Sequence, residues 1–211
     1  MSMQLNEMIK LIITSPFDAD QAAITLRGIS DIDQTILDSK YRFETTLLGE
    51  AVRNNNLGAV QFLLEHGANP NYIGEDFDCP LSDLEFGFDE DTPEEDRTRY
   101  EIAKKFFEYG ADPNLLLEGE TIFDRVTYSI YNHGGGPSWP YRVEFYKLLI
   151  LYGGGGHIYE NGAQGYGKPE FSEPIDLSRI DDYQVCFRKH KDGYHIEGHL
   201  LNPAGRDIGT L

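Results

Sequence analysis

The run Ala59-Val60-Gln61-Phe62-Leu63-Leu64-Glu65-His66-Gly67-Ala68-Asn69-Pro70-Asn71 decides the fold, because it is an apolar helical segment closed by a glycine. Glycine adopts the left-handed conformation that ends a helix, and the proline after it prevents the helix from continuing. A matching run surrounds Gly110, and a third apolar run precedes Gly153. Both intervals between these glycines are 43 residues. A period of this size predicts a stacked array of helical repeats.

Upstream of each glycine, a short motif marks the start of an inner helix, and in the second motif Pro80 suits a first helical turn. The three motifs are Thr46-Leu47-Leu48-Gly49-Glu50-Ala51, Cys79-Pro80-Leu81-Ser82-Asp83-Leu84 and Thr121-Ile122-Phe123-Asp124-Arg125-Val126. They begin 21, 31 and 32 residues before their glycines. The second and third repeats therefore carry an insertion between the inner and outer helices.

This combination resembles the ankyrin repeat, whose unit of about 33 residues contains two antiparallel helices and a turn. The resemblance extends over residues 6–156 and implies a mainly α, ankyrin-like helical solenoid of four repeats within a 1–156 domain. The first unit, 6–34, is expected to be a degenerate capping repeat, followed by repeats at 44–76, 77–118 and 119–156. Gly49, Ser82 and Asp124 replace the signature histidine of the family, which predicts a looser array.

Beyond the array, residues 157–175 are glycine-rich and are predicted to be a linker, and 176–211 to be a small C-terminal β-hairpin extension. An Asp192-Gly193 turn would pair residue 189 with 196, 187 with 198 and 185 with 200. One face would then be apolar. The other face would carry a cysteine and three histidines, which could in principle bind zinc, although a solvated surface is favoured: Cys186, His190, His195 and His199.

The composition of the chain limits the classes of function that it can have. The chain of 211 residues has 36 acidic and 18 basic residues, a formal net charge of −18. Such a charge repels nucleic acids and anionic membranes and accelerates encounter with a basic partner. Two cysteines, taken as reduced, and the lack of a signal-peptide pattern predict a cytoplasmic protein. No cofactor motif is present, since Gly153-Gly154-Gly155-Gly156 lacks the lysine of a P-loop.

The two insertions are predicted to form the contact surface for a partner. Residues 85–96 are strongly acidic, and residues 130–141 combine glycines with aromatic side chains. Because they occupy the same point in consecutive repeats, stacking should bring them to one edge. The turns after the helix stops could project on another face. The predicted contact residues are Glu85, Asp89, Glu90, Asp91, Glu94, Glu95, Asp96, Tyr131, Trp139, Tyr141, Asn69, Asn71, Asp112 and Asn114.

No motif for catalysis is evident, so the sequence predicts a non-enzymatic, protein-binding module with no catalytic or metal residues. Its most concrete form is an immunity-type inhibitor that covers a basic toxin or nuclease. One alternative is a cytosolic interaction adaptor or host-directed scaffold. Another is a metal-binding enzyme or sensor that uses the C-terminal histidines.

Overall fold

A computed structural model describes residues 3–37, 44–74, 79–84, 92–126, 139–160, 163–189 and 196–210. The chain divides into two compact units, Met1–Asp112 (unit 1) and Pro113–Leu211 (unit 2). This boundary lies inside the predicted 1–156 array. Each unit has its own buried apolar residues.

Unit 1 is mainly helical. Its helices are α1 (Met3–Ile12), α2 (Ala19–Leu26), α3 (Leu47–Arg53), α4 (Leu57–Glu65) and α5 (Pro93–Glu108). Strands β1 (Ile36–Leu37) and β2 (Glu44–Thr45) form a short antiparallel pair before α3, and a single 3₁₀ turn spans Ser82–Leu84. Helices α1 and α2 lie where the capping repeat is expected. The core includes fully buried Leu47, Leu48 and Leu63.

Side-chain caps fix where the helices of unit 1 begin. The Thr46 hydroxyl accepts a hydrogen bond from the Gly49 N–H at 3.1 Å at the start of α3, and Asn56 Oδ1 accepts one from the Ala59 N–H at 3.2 Å at the start of α4. These bonds satisfy backbone N–H groups that have no partner inside the helix. The threonine that opens the sequence motif thus defines the start of the inner helix.

The three periodic glycines end their helices in the same way. Gly67, Gly110 and Gly153 have φ values of 91°, 85° and 85°, the left-handed conformation expected from the sequence. After each glycine, the next N–H donates to a carbonyl in the last helical turn, for example Ala68 N to Leu63 O at 3.0 Å. The 43-residue period is therefore a period of helix ends.

Unit 2 contains β3 (Leu116–Leu117) paired with β4 (Glu120–Thr121), α6, described over residues 122–126, and α7 (Trp139–Leu151). Strands β5 (Gly156–Glu160) and β6 (Ala163–Gly167) follow, and they pair antiparallel from Gly156 opposite Gly167 to Glu160 opposite Ala163. The predicted glycine-rich linker at 157–175 is therefore wrong over this hairpin. Glycine is weak in strands because it lacks a side chain, but its backbone still forms the ladder.

The C-terminal part is a three-stranded sheet rather than a simple hairpin. A 3₁₀ segment (Leu177–Asp182) leads into β7 (Gln184–Lys189), β8 (Ile196–Leu201) and β9 (Asp207–Thr210), in the order β7-β8-β9. Strands β7 and β8 pair in the register expected from the sequence, with Val185 opposite Leu200 and Lys189 opposite Ile196. The turn between them lies outside the described residues. Strand β9, which the sequence analysis missed, pairs with β8 next to a register shift.

Candidate interaction surface

The turns that follow the helix stops carry four of the predicted contact residues. In unit 1, Asn71 Nδ2 donates to the Gly110 carbonyl at 2.9 Å, and Asn71 Oδ1 accepts from the Asp112 N–H at 2.7 Å. One amide side chain thus joins two turns 39 residues apart in sequence. We call this two-bond arrangement an asparagine staple.

Unit 2 repeats the staple. Asn114 Nδ2 donates to the Gly153 carbonyl at 3.2 Å, and Asn114 Oδ1 accepts from the Gly155 N–H at 2.9 Å. In both units the asparagine Nδ2 donates to the carbonyl of the glycine that ends the helix. Its Oδ1 accepts from the backbone N–H two residues after that glycine. Asn71 and Asn114, predicted as partner contacts, are therefore engaged within the protein, where they hold successive turns together.

Asn69 and Asp112 remain exposed on these turns. Asn69 Oδ1 accepts a hydrogen bond from the Asn71 N–H at 2.9 Å, and this bond shapes the turn. Ile73, two residues beyond the staple, is 41% exposed. The turn region of unit 1 therefore presents polar, acidic and apolar groups to solvent.

Asp33 takes part in the same pattern and was missed by the sequence analysis. Its Oδ1 accepts from the Asn69 N–H at 2.8 Å, the bond that a staple asparagine would make with its oxygen. Burial raises the pKa of this carboxyl, the Asn69 hydrogen bond lowers it in part, and the charge of Asp31 raises it again. The available signal was the spacing in Asp31-Ile32-Asp33, which matches Asn69-Pro70-Asn71 and Asp112-Pro113-Asn114.

The described part of the acidic insertion is the first turn of α5. Thr92 caps this helix in a reciprocal capping box: the Glu95 N–H donates to Thr92 Oγ1 at 3.3 Å, and the Thr92 N–H donates to Glu95 Oε2 at 2.7 Å. These bonds to Thr92 lower the pKa of Glu95. Glu94 and Glu95 are exposed and Asp96 is half-buried. Negative charge at a helix N-terminus is also favoured by the helix dipole.

The remaining predicted contacts have different outcomes. Glu85, Asp89, Glu90, Asp91 and Tyr131 lie outside the described residues. Trp139 begins α7, and its side chain is likewise outside the described part of the chain.

Tyr141 corrects the prediction of an aromatic contact loop. It lies in the first turns of α7, is only 2% exposed, and its ring stacks on Phe145 with centroids 6.0 Å apart and planes 5° apart. A side chain in this position is part of the core of unit 2 and offers no surface to a partner.

Charge differs strongly between the units. Unit 1 contains 23 acidic and 9 basic residues, a formal net charge of −14, whereas unit 2 contains 13 acidic and 9 basic residues, a net charge of −4. Most of the negative charge of the chain therefore belongs to the unit that carries the capping box and the first staple.

Within the described ranges, no group of three or more His, Cys, Asp or Glu side chains could hold a metal ion. His190 and His195, two of the proposed ligands, lie outside those ranges. Among the helices that the structure describes, none combines the length and the apolar character needed to cross a membrane.

Comparison with known proteins gives one family match. Residues 44–75 match the ankyrin repeat family model, which confirms the predicted resemblance for that segment. A solved ankyrin repeat domain from Acinetobacter baumannii AYE is 17% identical, covers 70% of this chain and 98% of its own, and has a TM-score of 0.30. A TM-score this low does not by itself establish a common fold. No curated protein matches the chain.

Proposed function

The chain carries an ankyrin repeat at residues 44–75, a type of repeat that serves as a protein-binding module, and we propose that unit 1 binds a basic protein. In its most concrete form, the protein is an immunity-type inhibitor that covers a basic toxin or nuclease in the cytoplasm. The observation that carries this proposal is the net charge of −14 in unit 1, the unit that contains the matched repeat.

The proposal extends the repeat pattern beyond the matched segment. The helix stops at Gly67, Gly110 and Gly153 share one backbone conformation, and Asn71 and Asn114 make the same two bonds. Together with the α1–α2 pair, these features support a solenoid of four degenerate repeats. In such an array each repeat contacts its neighbours, and the turns and helix ends form extended binding surfaces.

Electrostatics favours a basic partner for this surface. Carboxylates that are exposed and ionised attract a cationic protein during diffusion, and the effect weakens as salt screens the charges. The lowered pKa of Glu95 keeps this exposed group ionised to more acidic pH than an ordinary glutamate. The first turn of α5 thus contributes to the field that steers the partner, together with the acidic residues that precede it in sequence.

The first experiment identifies the partner. The immobilised chain is exposed to native lysate at low and moderate salt, and the captured proteins are identified by mass spectrometry. We expect one basic protein that is released by salt, and purified chain should then inhibit the activity of that protein. A partner with an acidic surface, or capture that does not respond to salt, would contradict the proposal.

The second experiment locates the surface with a matched pair of variants. The unit 1 variant changes Asp89, Asp91, Glu90 and Glu94 to Asn or Gln and leaves Glu95, because Glu95 closes the capping box. The control changes four exposed acidic residues of unit 2 in the same way: Glu118, Glu120, Glu170 and Asp181. Both variants remove four charges. The unit 1 variant should lower the association rate by about tenfold at low salt, and the control by less than about twofold.

Equal losses in both variants would show that only total charge matters, which would contradict a binding surface on unit 1. Circular dichroism and thermal unfolding check that both variants remain folded.

A further inference from the structure

Asp33 holds the position of a staple residue, but it carries a carboxyl group instead of an amide. Its Oδ1 accepts a hydrogen bond at 2.8 Å from the Asn69 N–H, two residues after Gly67. The staples of Asn71 and Asn114 include the same bond, from the N–H two residues after a helix-ending glycine. The first turn of unit 1 is therefore joined to the turn after α4 by a side chain that can be ionised.

The second bond of a staple distinguishes the carboxyl from the amides. In both asparagines, Nδ2 donates to the carbonyl of the glycine that ends the helix. The corresponding atom of Asp33 is an oxygen, and an ionised carboxylate can only accept hydrogen bonds. A protonated carboxyl carries an O–H that can donate to the Gly67 carbonyl. A single proton on Asp33 therefore decides whether the second bond can form.

The titratable groups around Asp33 come from its own loop and from the facing turn. The Asp33 N–H donates to Asp31 Oδ1 at 3.0 Å, so the two carboxyls are neighbours in one loop. The facing turn after α4 contributes His66 and Tyr72. The Nδ1 atom of His66 lies 2.7 Å from the Phe62 carbonyl of its own helix, and a tyrosine hydroxyl is neutral in acid. Asp31 is thus the neighbour whose charge acts on Asp33.

The environment of Asp33 favours its protonated form. Burial raises the pKa of this carboxyl, the Asn69 hydrogen bond lowers it in part, and the charge of Asp31 raises it. The folded chain therefore binds the proton more readily than a chain in which Asp33 is released to water. The stability that this proton contributes is complete below the ordinary pKa of an aspartate and is lost as the pH rises through the raised pKa.

A second tie between the same parts of unit 1 does not titrate. Asn56, which caps α4, donates from Nδ2 to the Ile12 carbonyl at 2.5 Å and to the Thr14 carbonyl at 3.2 Å, at the end of α1. An amide is not ionised between neutral pH and acid, so this tie is the same throughout that range. Among the contacts that hold the α1–α2 pair to α4 and its turn, one is thus constant and another depends on a proton.

We propose that Asp33 is a proton-dependent latch, which holds the α1–α2 pair to the rest of unit 1 more tightly in acid than at neutral pH. In the protonated state, the Asp33 O–H donates to the Gly67 carbonyl while the other oxygen keeps the Asn69 N–H. In the ionised state, the bond to Gly67 is lost and the bond from Asn69 remains. The α1–α2 pair therefore opens more readily at neutral pH, while α4 stays closed.

The Gly67 carbonyl reports on the latch directly. Carbon NMR of the folded chain follows the carboxyl carbon of Asp33 and the carbonyl carbon of Gly67 from neutral pH into acid. The two signals should titrate with one midpoint, and the Gly67 signal should lose this titration in Asp33→Asn. Asp31→Asn keeps an acceptor for the Asp33 N–H but removes a charge, so it should move the midpoint to lower pH. A Gly67 signal that does not titrate with Asp33 would overturn the proposal.

Hydrogen exchange measures whether the latch holds the two helices. After correction for the intrinsic pH dependence of exchange, the protection of the α1 and α2 amides is divided by that of the α4 amides. This ratio should rise about threefold from neutral pH into acid, as expected for one modest hydrogen bond. Asp33→Asn should give the higher ratio at every pH. Asn56→Ser keeps a cap for α4 but loses the amide donor, so it should lower the ratio at every pH and leave the pH response in place.

The proposal is also overturned if the ratio in the wild-type chain is the same in acid and at neutral pH, or if it depends on pH as strongly in Asp33→Asn. Circular dichroism checks that each variant is folded. Asp33→Ala provides a second comparison, because it can form neither bond and should give a low ratio at every pH. The test does not depend on the proposed binding function of unit 1.

Discussion

Asn71 in unit 1 and Asn114 in unit 2 make the same pair of hydrogen bonds in different surroundings. The bonds of Asn71 are exposed, whereas those of Asn114 are half-buried. The units also differ in charge, −14 against −4. The shared staple shows that a common turn geometry is kept in both units. The difference in charge gives the two units different electrostatic surfaces, and for this reason the proposed binding of a basic partner is placed on unit 1.

The largest effect is expected when the staple of unit 2 is removed. Asn114→Ala leaves the Gly153 carbonyl and the Gly155 N–H without their partner in a half-buried place, which should lower the free energy of unfolding by about 2.5 kcal/mol. Urea denaturation measures this loss. Hydrogen exchange of the Gly155 amide should accelerate. Asn114→Asp, which keeps the acceptor, should protect that amide, and equal exchange in the two variants would contradict the staple.

Much of this architecture could be predicted from the sequence, because the determinants are local. Glycine at a fixed period predicts the helix ends, and alternation around Asp192-Gly193 predicts the register of β7 and β8. The burial of Tyr141 was missed because the preceding sequence Gly136-Pro137-Ser138-Trp139-Pro140 resembles a loop. Helical spacing was nevertheless present, since positions 141, 145, 148, 149 and 152 fall on one face of a helix.

Other features depend on contacts that sequence patterns do not record. Strands β5 and β6 pair through their backbones despite several glycines, and β9 is only four residues long. Asp207 lies beside His199, with its Oδ2 2.9 Å from Nδ1, and it belongs to β9, which the sequence analysis did not predict. The zinc hypothesis concerned the same face of this sheet, but it included only residues of the two strands that the sequence predicted.

A second prediction concerns the left-handed glycine that ends a helix in each unit. An added Cβ at Gly67 or at Gly153 would meet no atom within 4 Å, so alanine at either position is penalised only by the left-handed backbone. Each substitution should lower the free energy of unfolding by about 1.5 kcal/mol, with similar values in both units. Thermal unfolding of the two variants checks this. A loss at one site more than twice that at the other would show that the helix ends are not equivalent.

Removal of the exposed staple should have a smaller effect than removal of its half-buried counterpart. Asn71→Ala frees the Gly110 carbonyl and the Asp112 N–H, but water can replace the lost partner at this exposed position. We expect a loss of about 1 kcal/mol in the free energy of unfolding. Urea denaturation beside Asn114→Ala makes the comparison direct. If Asn71→Ala were the more damaging change, exposure would not explain the difference between the staples.

The smallest effect, and the only stabilising one, is expected for Asp33→Asn. The carboxylate of Asp33 accepts from the Asn69 N–H but has no proton to donate, whereas an asparagine could also donate to the Gly67 carbonyl, as Asn71 and Asn114 do at the equivalent glycines. The gain should be about 0.5 kcal/mol at neutral pH, measured by urea denaturation. A loss of stability would show that the first turn does not follow the staple geometry.

The pH dependence of this variant distinguishes charge from geometry. Because the pKa of Asp33 is raised in the folded state, the folded chain binds the proton more readily than the unfolded chain. The Asp33 carboxyl therefore contributes stability that grows as the pH falls through its raised pKa, and this gain is complete below the ordinary pKa of an aspartate. Asp33→Asn lacks this gain, so its advantage should shrink in acid. An advantage that stayed constant between neutral pH and pH 3 would assign the whole effect to the new hydrogen bond and none to the half-buried charge of Asp33.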